Sequence, residues 1–286
     1  MPGKRKRTFL SQNFLADEEV ARSIVDSFQV GQGDHVLEIG AGRGALTVHL
    51  LGRCEKLILV EKDRRLCHLL ESKLGKSTGV ELIHADFLEL DLSRLRGSPA
   101  SAPLRVIGAI PYHITTPLLF HLLEYPDHVS DALLVVQKEV ALRLTSGPGK
   151  KTYGALSVAV QYRADTKLLF PVGKECFRPR PKVDSQVVHL MMRREPPVKP
   201  KDPDLLFFLV RNLFTKRRKQ IQKSLKIDRR FPLTKEDLES IETSSGIALS
   251  RRPEDLSLEE FCRLSDALQE CLRGTGFFHN GGNTQL

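Results

Sequence analysis

Cysteine is sparse in this chain, and its positions form no recognisable framework. Cys54, Cys67, Cys176, Cys262 and Cys271 include no C-x-x-C pair and have no histidine at zinc-finger spacing. An odd and scattered set of this kind argues against a disulfide scaffold and against structural zinc. We therefore expect a reducing compartment and no bound metal.

Long apolar runs are also missing. No stretch approaches the ~18 apolar residues that a membrane span needs. No apolar segment of signal-peptide length follows the basic amino terminus, and the chain has no internal repeat. These absences predict a cytoplasmic protein that has no membrane partner.

Negative charge is the third deficit. The chain carries 44 Lys and Arg against 35 Asp and Glu, a formal net charge of +9. A merely basic soluble enzyme is a common alternative, but clustering of the cations favours a polyanionic partner. One cluster opens the chain with Lys4, Arg5, Lys6 and Arg7. Such a run is also typical of a nuclear address, but we interpret it as a solvated arm that faces RNA.

A second basic cluster lies between residues 211 and 230 and is opposed only by Asp228. A charge run on a helix commonly forms nothing more than a solvated face. Here Leu213, Phe214, Ile221 and Leu225 fit one buried face and leave the cations crowded on the rest without acidic partners. Such a surface suits contacts with RNA phosphates. The predicted RNA contacts are Lys4, Arg5, Lys6, Arg7, Arg211, Lys216, Arg217, Arg218, Lys219 and Lys223.

A chain of 286 residues is long enough for one larger domain with a smaller one appended. From residue 17 to about residue 165 apolar runs alternate with amphipathic ones, which predicts parallel strands and crossover helices in a doubly wound α/β sheet. The predicted strands are 35–39, 56–61, 80–84, 104–109 and 132–136, with 167–170 and 186–192 as an antiparallel edge. The predicted helices are 17–28, 44–51, 63–74, 116–123, 138–144 and 153–162, and then 204–214, 216–225, 235–243 and 257–272.

Composition also indicates where the domains end. Residues 195–203 contain four prolines and are predicted to form a stiff linker. We expect a basic arm over 1–16, the α/β domain over 17–194, a smaller all-helical RNA-binding domain over 204–273, and a disordered tail over 274–286.

A glycine-rich segment, residues 38–44, follows a predicted strand and opens a helix. Glycines there let the backbone approach a ligand closely. Glu61, at the end of the next strand, is suited to accept hydrogen bonds from ribose hydroxyls. A glycine turn needed only for packing is the alternative interpretation, and it is weaker because Glu61 lies at the distance along the chain that a ligand-binding site requires. A dinucleotide remains an alternative ligand, because Gly40, Gly42 and Ala45 also satisfy the dinucleotide fingerprint.

Two further strand ends narrow the choice of ligand. Asp86 is suited to accept a hydrogen bond from an adenine amino group while Phe87 borders the ring, although a lone aspartate here is more often a helix cap. Pro111 and Tyr112, after the next strand, would by themselves be an ordinary turn. Together four strand ends converge on one crevice at the carboxyl edge of the sheet, where open α/β folds bind ligands.

The stretch 107–115 nearly spells a site for methylating a base amino group. That amino group is a poor nucleophile, so such a site supplies hydrogen-bond acceptors for its protons and a flat face for the base. The pattern Asn-(Ile/Leu/Pro)-Pro-Tyr does both, through the Asn oxygen, the next backbone carbonyl and the tyrosine ring. Ala109 stands where that Asn would be, so one acceptor is missing.

Taken together, these segments resemble the small-subunit ribosomal RNA adenine N6-dimethyltransferase family over about residues 6 to 272. The resemblance is carried by residues 11–15, 38–44, 61–63, 84–87 and 110–112, and further on by 136–140, 153–156 and 176–185. It implies a Rossmann-like, S-adenosylmethionine-dependent methyltransferase fold. It further implies a monomer that dimethylates two adjacent adenines in the 3′-terminal hairpin loop of small-subunit (16S) rRNA within the immature 30S subunit.

The resemblance also assigns site residues. It implies that S-adenosylmethionine is bound by Gln12, Asn13, Leu15, Glu38, Gly40, Gly42, Glu61, Lys62, Asp86, Phe87 and Ala109. The implied catalytic set is Ala109, Ile110, Pro111, Tyr112 and Phe177. In it Tyr112 holds one face of an extruded adenine and Phe177 borders the other. A core phenylalanine shortly before Pro179 is an equally good interpretation of Phe177.

The family places Asn at position 109, so this chain departs from it at the catalytic acceptor. By analogy with the loss of one oxyanion-hole donor, the departure costs on the order of 10² to 10³ in rate. Three alternatives stay open. They are a non-catalytic small-subunit assembly factor, a large-subunit (23S) rRNA adenine methyltransferase and, as the weakest, a nicotinamide dehydrogenase. Residues 137–140 and the long helical carboxyl-terminal region favour the small-subunit group.

Overall fold

The structure is a computed structural model, and it describes residues 13–75, 77–96, 101–227 and 231–273. Some predictions concern residues outside these ranges. They are the predictions for Lys4, Arg5, Lys6, Arg7, Gln12, Arg229 and Arg230 and for the tail over 274–286.

Within the described ranges the chain forms nine strands and eleven α-helices. The strands are β1 (Phe14–Leu15), β2 (His35–Ile39), β3 (Lys56–Glu61), β4 (Val80–His84), β5 (Leu104–Ala109), β6 (Val129–Gln137), β7 (Ala164–Val172), β8 (Phe177–Arg178) and β9 (Ser185–Met192). The helices are α1 (Glu18–Phe28), α2 (Thr47–Leu50), α3 (Arg64–Leu74), α4 (Leu92–Arg96), α5 (Thr115–Leu123), α6 (Lys138–Thr145), α7 (Ala155–Arg163), α8 (Pro203–Thr215), α9 (Ile221–Ile227), α10 (Lys235–Ser245) and α11 (Leu258–Arg273).

Seven of the strands form one sheet, in the order β4-β3-β2-β5-β6-β9-β7. Neighbours from β4 to β6 run parallel, and β9 joins β6 antiparallel, with Val188 opposite Leu134. The predicted doubly wound α/β sheet and its antiparallel edge are therefore confirmed. The chain order reverses between β2 and β5, and such a reversal opens a crevice at the carboxyl ends of the strands.

The central strands are covered on both faces. Leu57, Ile58, Leu59 and Val60 are consecutive in β3 and are all at most 2% exposed. Because successive side chains of a strand point to opposite faces, this run is buried only if both faces are packed. Helix α1 contributes one apolar face to this core, and Asp17 caps its first turn by accepting a hydrogen bond from the Val20 N–H at 3.1 Å.

The chain divides into two compact units. The first comprises residues up to Ala141 together with Lys167–Met191, and the second comprises Leu142–Thr166 together with the residues from Met192 onward. This division differs from the predicted boundary at residue 195, because the segment 142–166 belongs to the second unit. The physical reason is packing within that unit. The ring of Tyr162 in α7 lies edge-on to Phe207 of α8, with centroids 5.1 Å apart, and the Tyr153 hydroxyl donates to the Leu256 carbonyl at 2.9 Å.

The predicted helix over 216–225 is partly wrong. Residues 216–220 form a turn between α8 and α9, whereas the pattern predicted a helix over 216–225. The Lys216 N–H donates to the Leu213 carbonyl at 3.1 Å, and the Lys219 N–H donates to the Lys216 carbonyl at 2.7 Å. These bonds span three residues, so they tighten the chain out of the α-helical path. The basic residues at this point therefore lie on a turn and not along a helix face.

A charged network ties the amino-terminal side of the sheet together. Arg105 of β5 donates to both carboxylate oxygens of Asp131 in β6, at 2.9 and 2.8 Å, and to Asp34 at 2.8 Å. His189 of β9 lies 2.8 Å from Asp131, and the Arg105 guanidinium lies 4.3 Å from the centre of the Phe28 ring. Burial alone would raise the pKa of Asp131, but the hydrogen bonds from His189 and Arg105 hold it below its ordinary value. Three neighbouring strands thus share one buried ionic contact.

None of the helices in the described ranges is both long enough and apolar enough to cross a membrane.

Candidate functional site

A cavity opens at the carboxyl ends of β2, β3, β4 and β5. Its volume is about 1040 Å³, counting the part that opens to solvent. Its lining combines apolar side chains with a few polar and charged groups, as ligand pockets commonly do. The lining residues are Asn13, Phe14, Leu15, Glu38, Ile39, Gly40, Ala41, Gly42, Arg43, Ala45, Leu46, Val60, Glu61, Lys62, Ala85, Asp86, Phe87, Ala109, Pro111, His113 and Ile114.

The structure brings most of the predicted cofactor residues to this cavity. Its lining includes Asn13, Leu15, Glu38, Gly40, Gly42, Glu61, Lys62, Asp86, Phe87 and Ala109. Gln12 lies outside the described residues. The sequence interpretation did not name Phe14, Arg43, His113 or Ile114. Phe14, Arg43 and His113 each directly follow a predicted residue along the chain and Ile114 comes one residue later, which was the available signal.

The glycine-rich loop after β2 has the backbone shape that only glycine adopts readily. Gly40, Gly42 and Gly44 have φ angles of 67°, 57° and 81°. The Gly42 N–H donates to Glu61 at 2.9 Å, and a Cβ at position 42 would lie 3.2 Å from the Phe14 ring. A side chain at Gly42 would therefore disturb both the loop and the strand that covers it.

Glu61, at the end of β3, is held rigidly by the backbone. It is 3% exposed, and its two carboxylate oxygens accept the N–H of Gly42 at 2.9 Å and the N–H of Asp63 at 2.8 Å. These donors leave lone pairs of the carboxylate for a ligand. The geometry suits a fixed acceptor for a pair of hydroxyl groups.

Glu38, at the end of β2, is buried more deeply in the same cavity. It is 2% exposed and accepts hydrogen bonds from Thr47, through the hydroxyl at 2.7 Å and through the backbone. Burial raises the pKa of Glu38 to about 8, the Thr47 hydrogen bond opposes this rise, and the nearby charge of Glu61 adds to it. At neutral pH Glu38 therefore retains a proton unless a cation compensates its charge.

Asp86 follows β4 and faces the cavity beside Lys62, whose ammonium group contacts its carboxylate. It also caps the short turn Phe87–Glu89 by accepting the Leu88 N–H at 3.2 Å. One oxygen thus accepts the capping N–H and the other contacts Lys62, so the cap interpretation is confirmed for a side chain that also lines the cavity. Burial raises the pKa of Asp86, but hydrogen bonds from Lys62 and Leu88 outweigh that effect and lower it, so the acceptor is ionised.

The near-methylation motif begins at the last residue of β5. Ala109 and Pro111 line the cavity, whereas Ile110 is 3% exposed and its N–H donates to the Val135 carbonyl at 3.1 Å. Tyr112 is half-buried beside the cavity and is not among its lining residues; its hydroxyl lies 2.8 Å from the Ser185 hydroxyl of β9. The side chain at position 109 offers no hydrogen-bond acceptor, as the sequence indicated.

Phe177 does not reach this cavity. It is 3% exposed and packs in the hydrophobic core, and it lies opposite Leu15 in a small antiparallel pair formed by β1 and β8. This placement agrees with the alternative interpretation of a core phenylalanine, and contact between Phe177 and an extruded base stays a prediction. The strands are two residues long, which is too short for an alternating pattern to reveal them.

The second unit carries a basic cleft, which we define by Lys151, Lys216, Arg217, Arg218, Lys219, Lys223, Lys226 and Arg252. It consists of two adjoining hollows that share Arg218, Lys219 and Arg252. The predicted RNA contacts Lys216, Arg217, Arg218, Lys219 and Lys223 therefore gather on one surface, whereas Arg211 does not line it.

The expectation that these cations have no acidic partner is wrong for Arg217. Its Nε donates to Glu254 at 2.5 Å, and its other nitrogens donate to the carbonyls of Lys150 and Lys151. Arg217 thus anchors the turn. In the described part of the chain we find no ion pair for Lys216, Arg218 or Lys219. These three remain available for a polyanion.

Among the residues that the structure covers, no group of three or more His, Cys, Asp or Glu side chains is arranged to hold a metal ion.

Comparison with known proteins gives consistent matches. The family model described as ribosomal RNA adenine dimethylase matches residues 3–270. The chain is 41% identical to the ribosomal RNA small subunit methyltransferase A of Saccharophagus degradans, over 94% of this chain and 96% of that protein. It is also 41% identical to the protein of the same name from Clostridium perfringens, over 91% and 90% of the two chains.

Two crystal structures are similar in fold. The 23S rRNA methyltransferase ErmE is 29% identical, with a TM-score of 0.67 over 90% of this chain and all of that one. A dimethyladenosine transferase from Plasmodium falciparum has a TM-score of 0.74 at 24% identity, over 88% of this chain and 95% of that one.

Proposed function

Because the chain belongs to the ribosomal RNA adenine dimethylase family, we propose that it acts on N6 of two adjacent adenines in the 3′-terminal hairpin loop of small-subunit rRNA. It is an S-adenosylmethionine-dependent methyltransferase by family. The proposal rests on one observation, that two carboxylates suited to the cofactor and part of the base-methylation motif line the same cavity. The carboxylates of Glu61 and Asp86 lie there together with Ala109 and Pro111 of the base-methylation motif.

The residues of the cavity fit the cofactor and its substrate. Glu61 would accept hydrogen bonds from the ribose hydroxyls of the cofactor, and ionised Asp86 would accept one from its adenine amino group beside Phe87. When bound, S-adenosylmethionine supplies an electrophilic methyl group on a sulfonium sulfur. A general base is not required, because the amine sheds its proton to solvent after the transfer.

The target adenine leaves its stack to reach the cavity, which costs least in a loop. In our proposal the ring of Tyr112 supports one face of that base, and the Ser185 hydroxyl fixes the ring through its 2.8 Å contact with the tyrosine hydroxyl. The Ile110 carbonyl accepts a hydrogen bond from one N–H of the amino group. Positioning of this kind provides most of the acceleration in methyl transfer.

Because Ala109 stands where the family has Asn, the second hydrogen-bond acceptor for the target amino group is missing. We propose that this difference leaves turnover severely impaired. A non-catalytic small-subunit assembly factor is therefore the second candidate, favoured by Ala109 alone. A large-subunit methyltransferase is disfavoured, because the small-subunit relatives are more similar in sequence than ErmE is. We further propose that the protein acts as a metal-free monomer on immature 30S subunits in the cytoplasm.

The substrate assignment is tested by incubating the protein and labelled S-adenosylmethionine with unmethylated small subunits, and in parallel with large subunits. Primer extension then locates modified adenines in both rRNAs. We expect label in the 3′-terminal hairpin loop of the small-subunit rRNA and none in the large subunit. Modification in the large-subunit rRNA, or tighter binding to large subunits, would contradict the proposal.

The basic cleft gives a second expectation, a steep dependence of RNA affinity on salt. Each phosphate contact contributes about 0.7–0.9 to the slope of log K against log salt concentration. The triple variant Lys216→Gln, Arg218→Gln and Lys219→Gln should therefore reduce that slope by about 2 to 3. Filter binding of a 3′-terminal rRNA hairpin at several potassium chloride concentrations measures the slope.

A triple variant at exposed cations outside the cleft is the matched control. Arg22, Lys199 and Lys235 are each at least 60% exposed and pair only with carboxylates four residues away in sequence. Changing these three to Gln removes the same charge and should leave the slope nearly unchanged. Equal slopes for the two triple variants would mean that the cleft is only a solvated face.

A further inference from the structure

Two carboxylates lie buried in the cofactor cavity. Glu38 is 2% exposed and Glu61 is 3% exposed. The donors that reach them within the described part of the chain are neutral, namely the hydroxyl and backbone N–H of Thr47 and the N–H groups of Gly42 and Asp63. A buried carboxylate without a cation is costly, so this arrangement suits a ligand that brings positive charge.

The two acids differ in how well their charge is supported. Glu61 accepts backbone N–H bonds from two residues, one on each oxygen, whereas Glu38, among the described residues, accepts hydrogen bonds from Thr47 alone, through its hydroxyl and its backbone. Burial raises the pKa of Glu38 to about 8, and the adjacent charge of Glu61 contributes to that rise. Of the pair, Glu38 is therefore the one that holds a proton near neutral pH.

The cations of the same cavity do not neutralise Glu38. The ammonium group of Lys62 pairs with Asp86, and the Arg43 guanidinium lies 4.9 Å from the centre of the Phe14 ring. His113 also lines the cavity. Neither the Lys62 nor the Arg43 interaction involves Glu38. The nearby charge that acts on Glu38 is that of Glu61.

We propose that Glu38 makes the cavity prefer the cationic methyl donor to its demethylated product, by giving up its proton when the sulfonium binds. The O–H bond of the carboxylic acid breaks, the proton leaves to the buffer, and the resulting carboxylate balances the sulfonium charge. S-adenosylhomocysteine has a neutral thioether at that position, so it binds without displacing the proton. The inference concerns the cofactor alone and goes beyond the RNA substrate proposed above.

The sign of the pH dependence follows from this exchange. Below about pH 8 the donor must displace a proton from Glu38, so its affinity rises with pH and levels off above that value. The rise is at most about tenfold per pH unit. The product shows a much flatter profile. Discrimination between donor and product therefore increases as the pH is raised from 6.5 to 8.5.

Isothermal titration calorimetry without RNA tests this directly. Both compounds are titrated at pH 6.5, 7.5 and 8.5 in two buffers with different ionisation enthalpies, which counts the protons released. We expect close to one proton released at pH 6.5 for S-adenosylmethionine and close to none for S-adenosylhomocysteine. The amino group of each compound also titrates, so the variant Glu38→Gln, which mimics the protonated acid, gives the reference profile.

Glu38→Gln should lose the extra proton release and reduce donor affinity at pH 8.5 by about tenfold, with little change for the product. If Glu38→Gln binds neither compound, the variant Thr47→Val tests the role of Glu38 instead. Removing the Thr47 hydroxyl withdraws the donor that supports the ionised form, so the plateau of donor affinity should move to higher pH. Equal proton release for the two compounds, a Glu38→Gln profile identical to the parent, or an unmoved plateau in Thr47→Val would overturn the proposal.

Discussion

Replacing Ala109 with Asn is expected to raise the rate of methyl transfer on the order of 10² to 10³. Ala109 is the last residue of β5 and lines the cavity, and an amide oxygen there would supply the missing acceptor for the target amino group. The acceptor acts on the reacting amine, so affinity for S-adenosylmethionine should change little. Methyl incorporation into unmethylated small subunits, at saturating cofactor, measures the difference.

Ala109→Leu is the matched control, because leucine has about the size of asparagine and offers no hydrogen-bond acceptor. It should give no gain in rate. Equal rates for the parent and Ala109→Asn would refute the impairment by Ala109, and an equal gain in Ala109→Leu would show that bulk and not hydrogen bonding limits the parent.

The second large effect concerns stability. Changing Arg105 to Met keeps most of the side-chain volume but leaves Asp131 with only His189 and Ser130 as hydrogen-bond partners among the described residues, and leaves Asp34 without the arginine. Removing one member of a buried ionic contact costs about 3–5 kcal/mol. The side chains of Arg105 and Asp131 are 19% and 12% exposed, so screening by solvent is limited. Urea unfolding followed by far-ultraviolet circular dichroism should show the loss.

Arg53→Met is the control for a surface pair. Arg53 contacts Asp26 at 2.5 Å, but the two side chains are 42% and 52% exposed, so we expect a loss of about 0–1 kcal/mol. Similar losses in both variants would show that the Arg105 network is not a special source of stability.

The loss of unfolding free energy in Arg105→Met should also depend on pH. The folded pKa of Asp131 lies below its ordinary value, so its ionised contacts stabilise the fold above the unfolded pKa of about 3.9. That contribution is lost as the pH falls through the folded pKa. The difference between the parent and Arg105→Met should therefore shrink when unfolding is measured below about pH 4.

The α/β part of the fold was predictable because its signal is local. Strands β2, β3, β4 and β5 begin and end at the residues that the apolar runs indicated. Polar or glycine residues flank β2 and β3, Gly79 precedes β4 and Pro103 precedes β5, so the sequence itself marks where these runs begin. The same pattern indicated the crevice, since the acids Glu61 and Asp86 directly follow or end such runs.

Prediction failed where an element is short or is held by distant contacts. Helix α2 spans four residues, Thr47–Leu50, whereas an eight-residue helix was expected over 44–51, because Gly44 has a φ of 81° and delays the helix. The basic turn over 216–220 is held through Arg217 by Glu254, far along the chain. No periodicity within the turn contains that information.

The sequence by itself determined the order of strands and helices, the class of ligand suggested by its glycine loop and acids, and the absence of an amide at position 109. These depend on residue identity and on patterns that repeat within a few residues. Only the tertiary structure decided that Phe177 is a core residue opposite Leu15, that residues 142–166 pack with the carboxyl-terminal helices, and that Glu38 is buried enough to hold a proton. Burial, pairing and proton affinity arise between residues distant along the chain, and folding alone brings them together.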